Sequence, residues 1–178
     1  MNPGGDLAPL IVTAELPEAL QSRADQLRAA HFPPERNHLK AHVTLFHALP
    51  PMVEGELRDA LAAEARAAPV RARLEGLMNL GRGTALRLSS PAMLDLRERL
   101  ASRFHGLLTP QDQQVPRLHV TIQNKVAPSV AKALQAALAP AIEPREFAFA
   151  GLALHRYRGG PWEAVHRWPF RGSHRTKG

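Results

Sequence analysis

The chain has 178 residues, a formal net charge of +7, and 44% apolar and 22% charged side chains. This is a globular composition with room for one ordinary domain or two small lobes sharing a core, which excludes disorder as the main state. The absence of cysteine removes disulfide frameworks, thiolate zinc sites and cysteine nucleophiles, and no apolar run is long enough to cross a bilayer.

The opening MNPGGDLAPL has no basic stretch followed by an apolar core, so a cytoplasmic protein is expected. Residues 10–16 (LIVTAEL) are β-rich and stop at Pro17. Residues 18–30 carry Leu20, Ala24, Leu27 and Ala30 at helical spacing. A loop over 31–40 holds Pro33 and Pro34. Residues 41–49 (AHVTLFHAL) alternate with period two and end at Pro50 and Pro51, as a strand does. Residues 54–68 read as an Ala-rich helix. Residues 70–80 and 84–88 read as two strands around Gly81-Arg82-Gly83, a hairpin turn. Residues 91–108 read as a helix opened by Pro91 and capped by Ser89 or Ser90. A second round follows: a strand over 118–126 (LHVTIQNKV), a short helix over 129–138 that Pro128 can open, and a terminal hairpin of 146–157 with 162–170 around Gly159-Gly160. The tail 171–178 is polar and expected to fray. This order predicts an α+β fold of two halves with largely antiparallel sheets.

The charge is uneven. Residues 151–178 hold Arg156, Arg158, Arg167, Arg171, Arg175 and Lys177 against Glu163 alone. Such a segment points to a polyanionic partner, RNA or a nucleotide first. An Arg-, Ala- and Pro-rich chain can also reach this charge through GC-rich coding.

One signature occurs in both halves: His42-Val43-Thr44-Leu45 and His119-Val120-Thr121-Ile122. With nine His and six Thr in the chain, chance supplies only about 0.3 His-x-Thr triplets. On a strand, residues i and i+2 share a face. Each motif therefore offers one imidazole and one hydroxyl on a common side, with the apolar pair turned into the core. Two imidazoles suit phosphodiester chemistry. A neutral one takes a proton from an attacking hydroxyl or water, and a charged one gives a proton to the leaving oxygen. The two hydroxyls can hydrogen-bond the non-bridging phosphate oxygens and position the phosphorus. The scheme needs no metal and no cofactor.

On these residues the chain resembles the two-histidine phosphoesterase superfamily, which includes the RNA 2′,3′-cyclic phosphodiesterases, also called 2′-5′ RNA ligases. The two His-x-Thr-x motifs lie 77 positions apart and the opening LIVTAELP is similar to that family's first strand. The resemblance covers roughly residues 8–170. It implies a bilobal α+β fold, a single catalytic domain of two pseudo-symmetric lobes with a pseudo-twofold axis and a central cleft between the motifs. It implies that His42 and His119 are catalytic and that Thr44 and Thr121 bind phosphate. The implied activity is opening of 2′,3′-cyclic phosphate at RNA ends to a 2′-phosphate, with 2′-5′ ligation as the reverse reaction. The residues Pro116-Arg117-Leu118 and the polar run Gln123-Asn124-Lys125 depart from the commonest pattern. They bear on the substrate more than on the chemistry.

Other candidates are weaker. Lys125 lies six residues past His119, so even spacing puts it on the same face, within reach of a phosphate. Tyr157 and Trp162 flank the terminal hairpin tip beside Arg158. Aromatic and Arg side chains interleaved in this way can stack a base and hold its backbone. Arg82 and Arg87, on the first hairpin, are open to the same role. His42 and His47, five apart in one strand, face opposite sides, which argues against a zinc site with His38. His47 reads as a buried or edge histidine, and His155 and His166 as a cross-strand pair. No Walker, Gly-x-Ser-x-Gly or His-Glu-x-x-His motif occurs. The expected partners are RNA ends or nucleotide cyclic phosphates, with no membrane and no metal, and the chain is expected to be a monomer. The alternatives are a noncatalytic RNA- or nucleotide-binding protein on the same fold, and a phosphodiesterase acting on a small cyclic nucleotide.

Overall fold

Prolines punctuate the chain. The computed structural model describes residues 7–173. Strand β1 (Leu10–Glu15) runs to Pro17, where α1 (Glu18–His31) begins. A 3-10 turn at Pro34–Arg36 leads to β2 (Val43–Leu49), which stops at Pro50. Then come α2 (Glu54–Glu64) and the expected hairpin of β3 (Val70–Asn79) and β4 (Thr84–Ser89). Helix α3 (Pro91–Arg103) has Pro91 at its first turn and Ser90 as its cap, the hydroxyl accepting the Met93 N–H at 3.1 Å. The remainder is α4 (Pro110–Gln113), β5 (His119–Gln123), α5 (Pro128–Leu138), β6 (Arg145–Phe149), β7 (Gly151–Arg156) and β8 (Glu163–Pro169).

Two four-stranded antiparallel sheets result, in the order β2-β1-β7-β8 and β5-β4-β3-β6. Each holds a strand, a helix and a motif strand in succession: β1-α1-β2 in the first, β4-α3-β5 in the second. The two motif strands are the end strands of their sheets, and they contact each other. The apolar faces of both sheets feed one core, with Phe46, Phe104 and Phe149 among its largest buried side chains. No helix among the described residues is long and apolar enough to cross a membrane.

Some expectations need correction. The predicted strand 146–157 is two strands that belong to different sheets. The chain crosses at Ala150, which donates its N–H to Glu15 of β1 and accepts from Phe170. Gly151 permits the crossing, because a Cβ there would stand 2.6 Å from the Trp168 carbonyl oxygen. Helix α2 ends earlier than residue 68, since the carbonyls of Ala65 and Ala67 accept the N–H groups of Arg171 and Gly172. Helix α3 ends at Arg103 rather than 108. The strand around His119 ends at Gln123 rather than 126. Of the expected frayed tail, residues 174–178, with Arg175 and Lys177, lie outside the described residues, as do residues 1–6.

The fully buried residues of α1 are Leu20, Ala24 and Arg28; Leu27 packs half-buried against the core as expected, whereas Ala30 is exposed. Arg28 lies over the Phe32 ring at 4.1 Å and donates to Asn37 and to the Thr121 carbonyl of β5, at 3.2 and 2.8 Å. Arg97 repeats this from α3. It lies over the Phe46 ring at 4.3 Å and donates to the Leu45 carbonyl of β2 at 3.2 Å and to the Asp112 carbonyl. Each sheet's helix thus sends a buried guanidinium to the other sheet's motif strand.

Asp112, 1% exposed, completes the edge of β2. Its carboxylate accepts the His47 N–H at 2.9 Å, the Ala48 N–H at 2.9 Å and the His47 Nδ1 at 3.2 Å. Burial alone would raise this carboxyl. The bonds from the His47 side chain and from the two backbone N–H groups outweigh it and hold the group below its ordinary value. Asp112→Ala is expected to cost about 3 kcal/mol of unfolding free energy at neutral pH, because it leaves two strand N–H groups unpaired; urea denaturation measures it. A depressed carboxyl contributes stability above its unfolded pKa of about 3.9, and that stability is lost as pH falls through the folded value. The variant's stability should therefore decline less steeply on acidification than that of the parent.

Candidate active site

Burial in the motif strands follows the period of two. Val43, Leu45, Val120 and Ile122 are almost completely buried, while His42, Thr44, His119 and Thr121 are half-buried on the opposite side. His42 stands one residue before β2 and His119 opens β5.

Both imidazoles are held in the same way. His42 Nδ1 is 2.8 Å from the Lys40 carbonyl oxygen, and His119 Nδ1 is 2.6 Å from the Arg117 carbonyl oxygen, each two residues upstream. A carbonyl only accepts, so Nδ1 carries the hydrogen in both rings and each Nε2 is left to exchange a proton. The backbone ahead of His42 is pinned from α1. The Ala41 N–H donates to Asp25 at 2.7 Å, and Gln21 donates to the Ala41 carbonyl at 2.8 Å. Gln21, Asp25 and Arg28 lie at i, i+4 and i+7 along one helix side, so a single helix face orients the first motif and ties it to the second.

The surroundings of the two rings differ. The indole of Trp162 lies 4.5 Å from the His42 ring, centroid to centroid, tilted by 56°. The same indole is 5.4 Å from His155, whose Nε2 is hydrogen-bonded to the Thr13 hydroxyl at 3.1 Å. Thr13 is buried and pairs directly across from Thr44. Burial under this layer pushes the His42 imidazole down to about 4. The hydrogen bond to Lys40 opposes the shift, and the nearby Arg28, His155 and His119 charges add to it. His42 is therefore neutral at neutral pH, and His119 is near enough to act on it electrostatically. In the second sheet Ala85 faces Thr121 and Arg87 faces His119. The first ring is enclosed by aromatics, whereas an arginine flanks the second.

The other predicted residues divide. Trp162 does join His42. The alternation argument for Lys125 fails, because β5 stops at Gln123 and Lys125 sits in a left-handed turn at φ 59° beyond the far end of the strand. Arg82 is at that far end too, donating to the Val126 carbonyl. Tyr157 is exposed just past β7, its backbone N–H bonded to Pro9. Arg158 pairs with Glu163 across the hairpin tip. His155 and His166 do not meet, because the register shifts so that His155 faces Ala164 and His166 faces Leu154; the His166 ring lies 4.5 Å from that of Trp168, tilted by 56°. His47 is an exposed edge histidine bonded to Asp112. Among the described residues, no group of three or more His, Asp or Glu is arranged to hold a metal ion.

Sequence reasoning missed Thr13, Arg28, Arg97 and Asp112. Thr13 carried a signal, since a hydroxyl in the middle of LIVTAE shares the face of Thr44. The other three are polar residues at buried positions, which periodicity cannot reveal.

The family model described as the 2′-5′ RNA ligase superfamily matches residues 16–161. No curated protein matches the chain. Solved structures do. The crystal structure of TT0787 of Thermus thermophilus is 22% identical with a TM-score of 0.63, over 93% of this chain and all of that one. E. coli LigT complexed with 3′-AMP is 19% identical with a TM-score of 0.62, over 94% of this chain and all of that one. E. coli LigT complexed with NADP+ is 20% identical with a TM-score of 0.58, over 93% and 99% of the two chains. At these identities the likeness is one of fold.

Removing the indole should return water to His42. Trp162→Ala is expected to lift the His42 pKa from about 4 toward 6.5, read by NMR titration of the ring protons. A ring that still titrates near 4 would mean that other groups enclose it.

Proposed function

Because the chain belongs to the 2′-5′ RNA ligase superfamily, we propose that it is a metal-independent cyclic phosphodiesterase that opens a 2′,3′-cyclic phosphate at a ribonucleotide end and leaves a 2′-phosphate. The observation that carries this reading is the matched pair of imidazoles, each with Nδ1–H on the carbonyl two residues upstream and Nε2 left for proton exchange.

His42, neutral under its aromatic cover, is the proton acceptor. Its Nε2 takes a proton from water as the water oxygen bonds to phosphorus. The bond from phosphorus to the ribose 3′-oxygen breaks, and His119 Nε2–H gives that oxygen its proton. Hydrolysis leaves a 3′-hydroxyl and a 2′-phosphate monoester. The Thr44 and Thr121 hydroxyls donate to the non-bridging oxygens and share the charge that builds there. Run backward with a ribose hydroxyl instead of water, the same steps form a 2′-5′ linkage.

A panel of 2′,3′-cyclic mononucleotides and RNA oligomers with a cyclic phosphate end, with products identified by phosphorus NMR, tests the reaction. His42→Ala and His119→Ala should each lower kcat by about 10²–10⁴-fold with unchanged circular dichroism. Thr44→Ala and Thr121→Ala should lose roughly 10–1000-fold. EDTA should have no effect. Near-parental turnover in either histidine variant would sink the two-imidazole mechanism. The curve of kcat/KM against pH should be bell-shaped. Its acid limb reports protonation of the acceptor in the free enzyme, so it should lie near pH 4 rather than near 6.5.

A further inference from the structure

Three arginines of the terminal segment are held in ion pairs. Arg156 pairs with Glu54, Arg158 with Glu163 and Arg167 with Glu15. On the second sheet, Arg71 and Arg87 have no carboxylate partner among the described residues. Residues paired across an antiparallel ladder project on the same side. Arg87 therefore shares the face of His119, its direct partner. Two residues along β4, Ser89 is on that face too, and so is its own partner Arg73, followed by Arg71 on β3. Toward the hairpin turn this face is closed, with Met78 and Ala85 buried; away from it, Arg87, Arg73 and Arg71 are exposed. The open half ends in a groove of about 490 Å³ lined by Arg71, Arg73, Ser89 and Glu146 among others. Two carboxylates also stand here. Glu75 is engaged by Ser89 at 2.7 Å and Arg73 at 3.5 Å, and Glu146 pairs across from Arg73. Arg87 and Arg71 retain their charge.

We propose that the exposed face of the second sheet, from His119 across Arg87 and Arg73 to the Arg71 groove, is the binding track for the RNA strand leading to the reacting end. The inference rests on the cyclic-phosphate reading, because the track begins beside His119 and only a polynucleotide carries a phosphate at each further step. Strands stand about 4.8 Å apart, so Arg87 meets the first phosphate beyond the reacting one and the β3 arginines meet the next. A single strand held only through its phosphates is bound without sequence preference and in a salt-dependent manner.

The test is fluorescence anisotropy of a labelled ten-nucleotide RNA ending in a 2′-phosphate, the product of the proposed reaction, at several salt concentrations. Arg87→Ala and Arg71→Ala should each weaken binding by about fivefold at low salt, and each should reduce the slope of log K against log salt by about 0.7. Arg158→Ala, on the terminal hairpin, should change the slope less than either. Parental affinity and slope in both sheet variants, or a larger effect from Arg158→Ala, would overturn the track. Turnover of the cyclic-phosphate panel separates the two proposals. Arginine-dependent binding without turnover refutes the reaction and keeps the track, whereas turnover with arginine-independent binding does the reverse.

Discussion

Both His-x-Thr motifs lie on end strands of their sheets, and the buried polar groups of this fold answer to that. An end strand presents backbone groups that its own sheet cannot pair. Here the two end strands contact each other. Arg28 and Arg97 solve the problem reciprocally, each crossing from one sheet's helix to a carbonyl of the other sheet's motif strand. Asp112 supplies the acceptors for the N–H groups at the far end of β2. Burying these charges is costly unless they are fully bonded. The guanidinium groups gain aromatic faces as well as carbonyls. The consequence is positional. Two short clasps tie each sheet's helix to the other sheet's motif strand.

The pseudo-symmetry stops at the rings. Their local bonding is the same, but one ring is roofed by Trp162 and backed by His155 and Thr13, while the other stands next to Arg87. An imidazole kept neutral by burial is suited to accept a proton rather than to give one. The terminal hairpin thus sets an indole against the His42 ring.

The net charge of +7 has a different meaning once the ion pairs are known. Composition puts the excess in the last segment. In the folded chain, acidic residues on β1, α2 and β8 pair with three of its arginines. Arg71 and Arg87, which have no carboxylate partner among the described residues, lie in the middle of the sequence. Counting charges along a chain finds clusters in sequence, but the field at a surface depends on which charges have found partners.

Local pattern alone determined much of this protein. Alternating burial in AHVTLFHAL and LHVTIQ is a property of extended backbone. It put His42, Thr44, His119 and Thr121 on the half-buried faces and Val43, Leu45, Val120 and Ile122 in the core before any partner was known. Ser90 and Pro91 marked a helix start for the same reason, since a cap bonds within three residues. Tertiary structure decided the rest. The strand 146–157 is locally continuous, and only its two different neighbours divide it. Lys125 is in even register with His119 by count, yet β5 ends before reaching it. Arg28 and Arg97 look like surface residues of amphipathic helices, and their acceptors lie 93 and 52 positions away. The groups packed against the buried His42 ring include an indole 120 residues distant in the sequence. Periodicity reports which way a side chain points. What it meets there, and hence its charge state, depends on chain segments that carry no local trace of the encounter.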